Sequence, residues 1–136
     1  MLSSLTGCGS KANEREGNGT PPIADNSVDF AYSLKLGWNL GNTLESTGTR
    51  LLNAETAWGQ PKTTKEMIDY VKEAGFTGIR IPVTWSSHMN DDYTIDEMWM
   101  DRVQEVVDYG LDAGLYVILN SHHDCEKYFP SEENLE

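Results

Sequence analysis

The sequence predicts an α/β fold organised around a parallel sheet, and three observations carry that prediction. Apolar segments of strand length begin near Leu36, Gly78 and Leu115, spaced by about 40 residues. An amphipathic helical pattern fills each of the two intervals between them. Each of those helices ends on a glycine, Gly75 or Gly114, placed directly before the next strand. Strand–helix–strand units of this kind cross over right-handed and build parallel sheets.

The elements follow in order. Val28, Phe30, Ala31 and Leu34 form a short helical stripe, with Asn26 or Ser27 as its N-cap. Leu36 to Glu45 then suits a buried strand and its exit, with glycines that let backbone or ligand come close. A long polar loop is expected from Glu45 to about Lys62. Thr63-Thr64-Lys65-Glu66 reads as a capping box, a Thr at the N-cap answered by a Glu at the third helical position. The helix it opens turns Met67, Ile68, Val71 and Ala74 inward, and Gly75 stops it in the left-handed region. Gly78 to Val83 reads as a strand, with Pro82 toward its end because it lacks a ladder donor. Asp96 caps a third helix, whose buried stripe is Trp99, Val103, Val106, Val107 and Leu111. Gly110 is a weak point in that helix, costing about 1 kcal/mol against alanine. Leu115 to Asn120 is continuously apolar, as for a strand covered on both faces.

Two architectures use such units. A doubly wound sheet usually carries a glycine-rich phosphate turn after its first strand, and Gly37-x-x-x-Gly41 does not match that fingerprint. A (β/α)₈ barrel needs about 250 residues or more. With three strands in 136 residues, the chain is expected to be an incomplete domain. Its open sheet should have unpaired edges and one uncovered face, and should be partly molten alone.

Composition narrows the partners. Hydrophobic residues make up 38% and charged residues 24%, with a formal net charge of -12. So acidic a surface repels phosphate backbones, which argues against nucleic acid and suits an uncharged substrate. No apolar run reaches the roughly 20 residues of a membrane span. Of the two cysteines, Cys8 lies in a polar tail and Cys125 near the far end, so a bridge between them is not expected. Leu5-Thr6-Gly7-Cys8 resembles a lipobox, although too little apolar sequence precedes it for a whole signal. Residues 1–8 are therefore read as a partial lipoprotein signal with Cys8 as the lipidation site, and residues 9–26 as a flexible linker. Membrane association is expected only through that anchor, and the protein is expected to be a monomer.

Chemistry is expected at the C-terminal ends of the strands, where both architectures form their sites. Asn42 follows the first strand, Arg80 lies in the second with Thr84 and Trp85 just after it, and Asn120, His122 and His123 end the third. By strand alternation, Arg80, Pro82 and Thr84 share one face, as do Asn120 and His122. Arg80 and His122 then converge as a polar floor. A structural ion pair is the alternative for Arg80. His122, His123, Asp124 and Cys125 do not favour a metal, because neighbouring strand residues point to opposite faces and no H-x-x-x-H or C-x-x-C spacing is present. At least one of the two histidines, more readily His123, is expected to be a satisfied structural residue. Trp99 belongs to the core and Trp58 to the mouth of the sheet. Trp85 is placed either to stack on a sugar face or to pack in the core.

Four segments in order carry a family resemblance. Gly37-Trp38-Asn39-Leu40-Gly41-Asn42-Thr43-Leu44-Glu45 resembles the opening strand of bacterial endoglucanases of glycoside hydrolase family five. Glu55-Thr56-Ala57-Trp58-Gly59-Gln60-Pro61 resembles the following loop, with Gln60 where Asn is more usual. Arg80 to Trp85 resembles the second strand and Asn120 to Asp124 the third. The resemblance implies a (β/α)₈ barrel, with residues 27–136 as the incomplete N-terminal part of a domain that cleaves β-1,4-glucan with retention. It implies that Arg80 orients a nucleophilic glutamate and that His122 lies beside the reacting sugar. Asn42 and His123 would line the non-reducing side of the cleft. No cofactor or metal is implied.

The two catalytic glutamates of that family, one in an Asn-Glu-Pro segment, match nothing in these 136 residues, and Glu126, Glu132, Glu133 and Glu136 stand in the wrong place. The other readings are a non-catalytic carbohydrate-binding lipoprotein, a xylanase, mannanase, xyloglucanase or lichenase on the same barrel, and a doubly wound nucleotide-binding domain.

Overall fold

The computed structural model describes residues 26–124. Cys8, expected as a lipidation site, the expected signal and linker up to residue 25, Cys125 and the C-terminal glutamates lie outside the described residues. The elements in order are α1 (Ser27–Ser33), β1 (Gly37–Asn39), a 3-10 segment (Leu51–Thr56), α2 (Lys65–Glu73), β2 (Gly78–Val83), a 3-10 turn (Ser86–His88), α3 (Glu97–Asp112) and β3 (Tyr116–Ser121). The three strands form one parallel sheet in the order β1-β2-β3.

Caps and stops explain most of these boundaries. The Asn26 side chain accepts from the Val28 and Asp29 amides and starts α1. Thr64, not Thr63, caps α2 by accepting from the Met67 amide, so Glu66 falls at the second helical position and no capping box forms. Thr63 is withdrawn from capping because its backbone amide and carbonyl are both bonded to a buried ion pair described below. Asp96 accepts from Met98 and starts α3. Gly75 and Gly114 take positive φ, which an L side chain rarely adopts, and each ends its helix before a strand.

Both long helices cover one face of the sheet. Ile79, Ile81 and Val83 of β2 are fully buried there, against Ile68 of α2 and Trp99, Val103 and Val106 of α3. Two inward expectations fail. Ala74 is exposed at the C-cap of α2, and Leu111 is 39% exposed. The buried stripe of α3 runs Trp99, Val103, Val106 and then Gly110, so Leu111 is rotated off it.

Gly110 is the point of closest approach rather than a mere weakness. A Cβ there would lie 2.9 Å from Cγ2 of Val117 and 3.2 Å from Cγ2 of Ile79.

The opposite face carries Asn39, Arg80 and Ile118 in one register row and Pro82 with Asn120 in another. At its N-terminal end α1 lies across it. Phe30 meets Tyr116 edge-to-face at 5.0 Å, and Leu34 sits over Gly78. The rest of α1 is shallow: none of its residues is buried. β3 is not covered on both faces as its composition implied. Ile118 is 48% and Leu119 46% exposed, one on each face, because β3 is the edge strand of the described sheet.

Two outcomes follow. Gly110→Ala gains about 1 kcal/mol of helix propensity but meets an overpacking cost of about 1–3 kcal/mol. The variant is therefore expected to be less stable in chemical denaturation, with the loss relieved when Val117→Ala is added. In hydrogen exchange on the 136-residue chain, amides of the doubly paired β2 should be the slowest and those of β3 faster. Uniformly slow exchange across all three strands would contradict the open-sheet description.

Candidate active site

The site lies at the C-terminal ends of the three strands, and backbone bonds align those ends. The Leu40 amide donates to Arg80 at 2.9 Å, Thr84 to Leu44 at 3.1 Å, and His122 to Val83 at 2.8 Å. The fully buried Thr84 hydroxyl lies 2.8 Å from the Glu45 carbonyl and 2.9 Å from the His122 carbonyl, so one side chain joins the exits of all three strands. The bond from His122 to Val83 continues the ladder one residue past β3. Alternation then puts His122 on the face of Asn120, Pro82 and Arg80.

Arg80 is half-buried, and its Nη1 donates to Oδ1 of Asn39 at 2.5 Å. No carboxylate pairs with it among the described residues. Asn42 is exposed with φ 62, a left-handed conformation that Asn tolerates better than most residues. The Glu45 carboxylate holds that turn by accepting from the Asn42 amide at 2.5 Å and the Thr43 amide at 2.9 Å.

Three rings form a chain at the rim. His122 and His123 meet edge-to-face at 4.3 Å, and His123 meets Trp58 at 5.8 Å. His123, expected as a satisfied structural residue, is instead exposed with φ 58, and among the described residues its side chain makes ring contacts only. Trp58 is 42% exposed at this rim, where the loop reading put it. Trp85 is half-buried and packs against the core cluster.

Asp124 belongs to the scaffold. Its carboxylate accepts from the Trp85 amide at 2.9 Å, the Ser86 amide at 2.8 Å and the Ser121 hydroxyl, so both oxygens are engaged. Among the described residues no group of three or more His, Cys, Asp or Glu is placed to hold a metal.

The segment between Glu45 and Lys62 is far from a plain polar loop. It is folded over Glu55, a carboxylate only 1% exposed that forms a two-pronged ion pair with Arg102 of α3. Nε and Nη2 of Arg102 donate to the two Glu55 oxygens at 2.9 and 2.8 Å. The Thr63 amide donates to Glu55 at 2.7 Å, and Arg102 also donates to the Thr63 carbonyl at 2.6 Å. Glu105 takes the remaining Nη1 at 2.5 Å. Burial opposes ionisation of Glu55, but the hydrogen bonds from Arg102 and the Thr63 amide outweigh it and hold the carboxyl below its ordinary range. The structural ion pair considered for Arg80 is thus made by Arg102. Its only sequence signal is an arginine at helical spacing between Trp99 and Val106.

His88, which sequence reasoning passed over, is the buried structural histidine. It stacks on Trp99 at 3.8 Å, and its Nδ1 accepts from the Leu51 amide at 2.9 Å. That bond secures Leu51 at φ 58, at the start of the loop that carries Glu55 and Trp58. Burial, then the nearby Arg50 charge, lower its pKa to about 4.

This is the architecture of the opening units of a (β/α)₈ barrel, with polar side chains gathered at the C-terminal ends of the strands. The cellulase model of glycosyl hydrolase family 5 matches residues 42–135. Endoglucanase A of Ruminococcus albus is 51% identical over 112 residues, which are 81% of this chain and 31% of that protein. A broad-specificity endoglucanase of Ruminococcus champanellensis with bound cellotriose superposes with a TM-score of 0.74 at 45% identity, covering 79% of this chain and 33% of that one. The family 5 glycoside hydrolase PbGH5A of Prevotella bryantii, in complex with a xyloglucan tetradecasaccharide, gives 0.65 at 46% identity, covering 67% and 28%. The chain belongs to glycosyl hydrolase family 5, and it spans less than a third of the length of the curated relatives it matches.

The His88 geometry generates a pH prediction. Its folded pKa, about 4, lies below its ordinary 6.5, so between these values the unfolded chain binds more protons. Its contribution is complete above pH 6.5 and drains away as pH falls toward 4, at up to about 1.4 kcal/mol per pH unit. Glu55 adds its own loss only below its ordinary value of 4.5. Denaturation midpoints measured from pH 7 to pH 4 should fall accordingly, and His88→Gln should flatten the slope between pH 6.5 and 4.5.

Proposed function

We propose that this chain is the N-terminal part of a retaining endo-β-1,4-glucanase that cleaves internal bonds of cellulose or related β-glucans. The supporting observation is the placement of Arg80 and His122 on one face of adjacent parallel strands, at the end where barrel enzymes react. In this reading Arg80 supports the nucleophilic glutamate by charge and hydrogen bonding, and His122 holds the reacting sugar. Asn42, His123 and Trp58 line the rim, and Trp85 offers what its core packing leaves open. Flat aromatic surface suits the apolar face of a β-glucan, and neutral polar groups suit its hydroxyls. The acidic surface is compatible with an uncharged polymer.

Retaining hydrolysis needs two carboxyl groups roughly 5–5.5 Å apart, one protonated and one ionised. Arg80 and His122 cannot fill both roles. The reading therefore assigns the reaction to the complete protein and only substrate- and nucleophile-positioning to these residues. It includes no metal or cofactor. Residues 1–8 complete the proposal as part of a lipoprotein signal, with Cys8 acylated and residues 9–26 as a tether, so that a monomeric enzyme is held outside the cytoplasm.

A reducing-sugar assay with carboxymethylcellulose tests the activity. The complete protein should turn over and the 136-residue chain should not. Arg80→Ala in the complete protein should lose on the order of 10²-fold or more in kcat. Turnover by the isolated chain, or full activity in Arg80→Ala, would sink the reading.

A further inference from the structure

Among the described residues Arg80 has one side-chain hydrogen-bond partner, and that partner comes from a neighbouring strand. Asn39 and Arg80 are paired in register between β1 and β2, so their side chains leave the sheet on the same face. The amide oxygen of Asn39 accepts from Nη1 of Arg80 at 2.5 Å. This fixes the orientation of the amide: its oxygen faces the guanidinium, and its NH2 is turned the other way, toward residue 41.

At position 41 a side chain would displace one neighbour, the Asn39 amide. A Cβ on Gly41 would stand 2.7 Å from Nδ2 of Asn39, well inside van der Waals contact, whereas the next nearest group, Oε1 of Glu45, would be at an ordinary 3.6 Å. Gly41 is absent from the residues with positive φ, so backbone strain does not explain its glycine. The requirement is space for one amide. The Gly41 amide also donates to the Asn39 carbonyl at 2.9 Å, which closes the turn and brings the two residues together.

We infer that Asn39 and Gly41 are positioning residues for Arg80: Asn39 anchors one arm of the guanidinium, and Gly41 leaves open the space that the Asn39 amide occupies when it does so. Arginine carries its charge on a long side chain with several rotatable bonds, and a single anchored arm removes much of that freedom. The inference rests on the proposed role of Arg80 and extends it to two residues that touch neither sugar nor nucleophile in that scheme. Substituting either leaves Arg80 and its charge in place but releases its orientation.

The test uses the complete enzyme and its turnover of carboxymethylcellulose, with Arg80→Ala as the reference. Asn39→Leu and Gly41→Ala should each lower kcat by about 10- to 100-fold, the scale on which a misplaced positioning group acts, with KM within about twofold. Asn39→Asp, which keeps an acceptor in place, should recover most of the loss. Gly41→Ala should cost little further once Asn39→Ala has removed the amide it displaces, and Asn39→Leu should cost little further in an Arg80→Ala background. A general structural defect would give additive losses and lower thermal stability instead, and additive losses would overturn the inference. So would full activity in Asn39→Leu alongside a crippled Arg80→Ala, and in that case the proposed function would stand. Full activity in Arg80→Ala would overturn the proposed function and this inference together.

Discussion

Ile79, Ile81 and Val83 commit one face of β2 to the helices, and that commitment decides where Arg80 points. All three are fully buried against α2 and α3. Because side chains alternate, Arg80 and Pro82 must leave the sheet on the other side. Parallel register transmits the choice to the neighbours: Asn39 beside Arg80, Asn120 beside Pro82, and His122 one step beyond. A slip of one residue in β2 would carry three branched apolar side chains out of the core and bury a guanidinium in their place, so the register is strongly specified. The polar floor of the site is thus a consequence of hydrophobic burial on the reverse face.

The strand exits then have to be held against one another, and polar groups do this beside the buried Leu40, Leu44 and Val83. Thr84 bridges the exits of all three strands through its hydroxyl and backbone. Asp124 ties the exit of β3 to the turn after β2, while Glu45 folds the exit of β1 onto itself. Further out, the Glu55–Arg102 pair fastens the long first loop to α3. Removing one partner of such a buried pair costs about 3–5 kcal/mol, because the other is left buried and unpaired. With both partners present the pair is weak evidence for net stability, but its two-pronged geometry fixes where the loop sits. Trp58 reaches the rim beside His123 because that loop is anchored at Leu51 by His88 and at Glu55 by Arg102.

Local signals in the sequence were reliable where the physics is local. The caps Asn26 and Asp96, the terminators Gly75 and Gly114, and the full span of β2 are set by groups within a few residues of one another. The α2 cap moved by one residue for a non-local reason: Thr63 is held by Glu55 and Arg102, both distant in the chain. Leu111 and Ala74 were misplaced because helical periodicity tells which residues share a stripe but not where a helix parts from its sheet. His88 carried no periodic signal at all, and its burial depends on Trp99 and Leu51 arriving from other elements.

By itself, the sequence determined the βαβαβ order, the acidic character, the strand face that carries Arg80, and the family resemblance through four short segments. Each of these is a property of composition, of alternation, or of contiguous residues. The tertiary structure alone decided that Asn39 holds Arg80, that the Asn39 amide lies against Gly41, that Arg102 and not Arg80 makes the buried ion pair, and that Trp58 and not Trp85 stands exposed at the rim. All four depend on distances between residues that chain connectivity leaves undetermined. Packing of the helices against the parallel sheet fixes those distances.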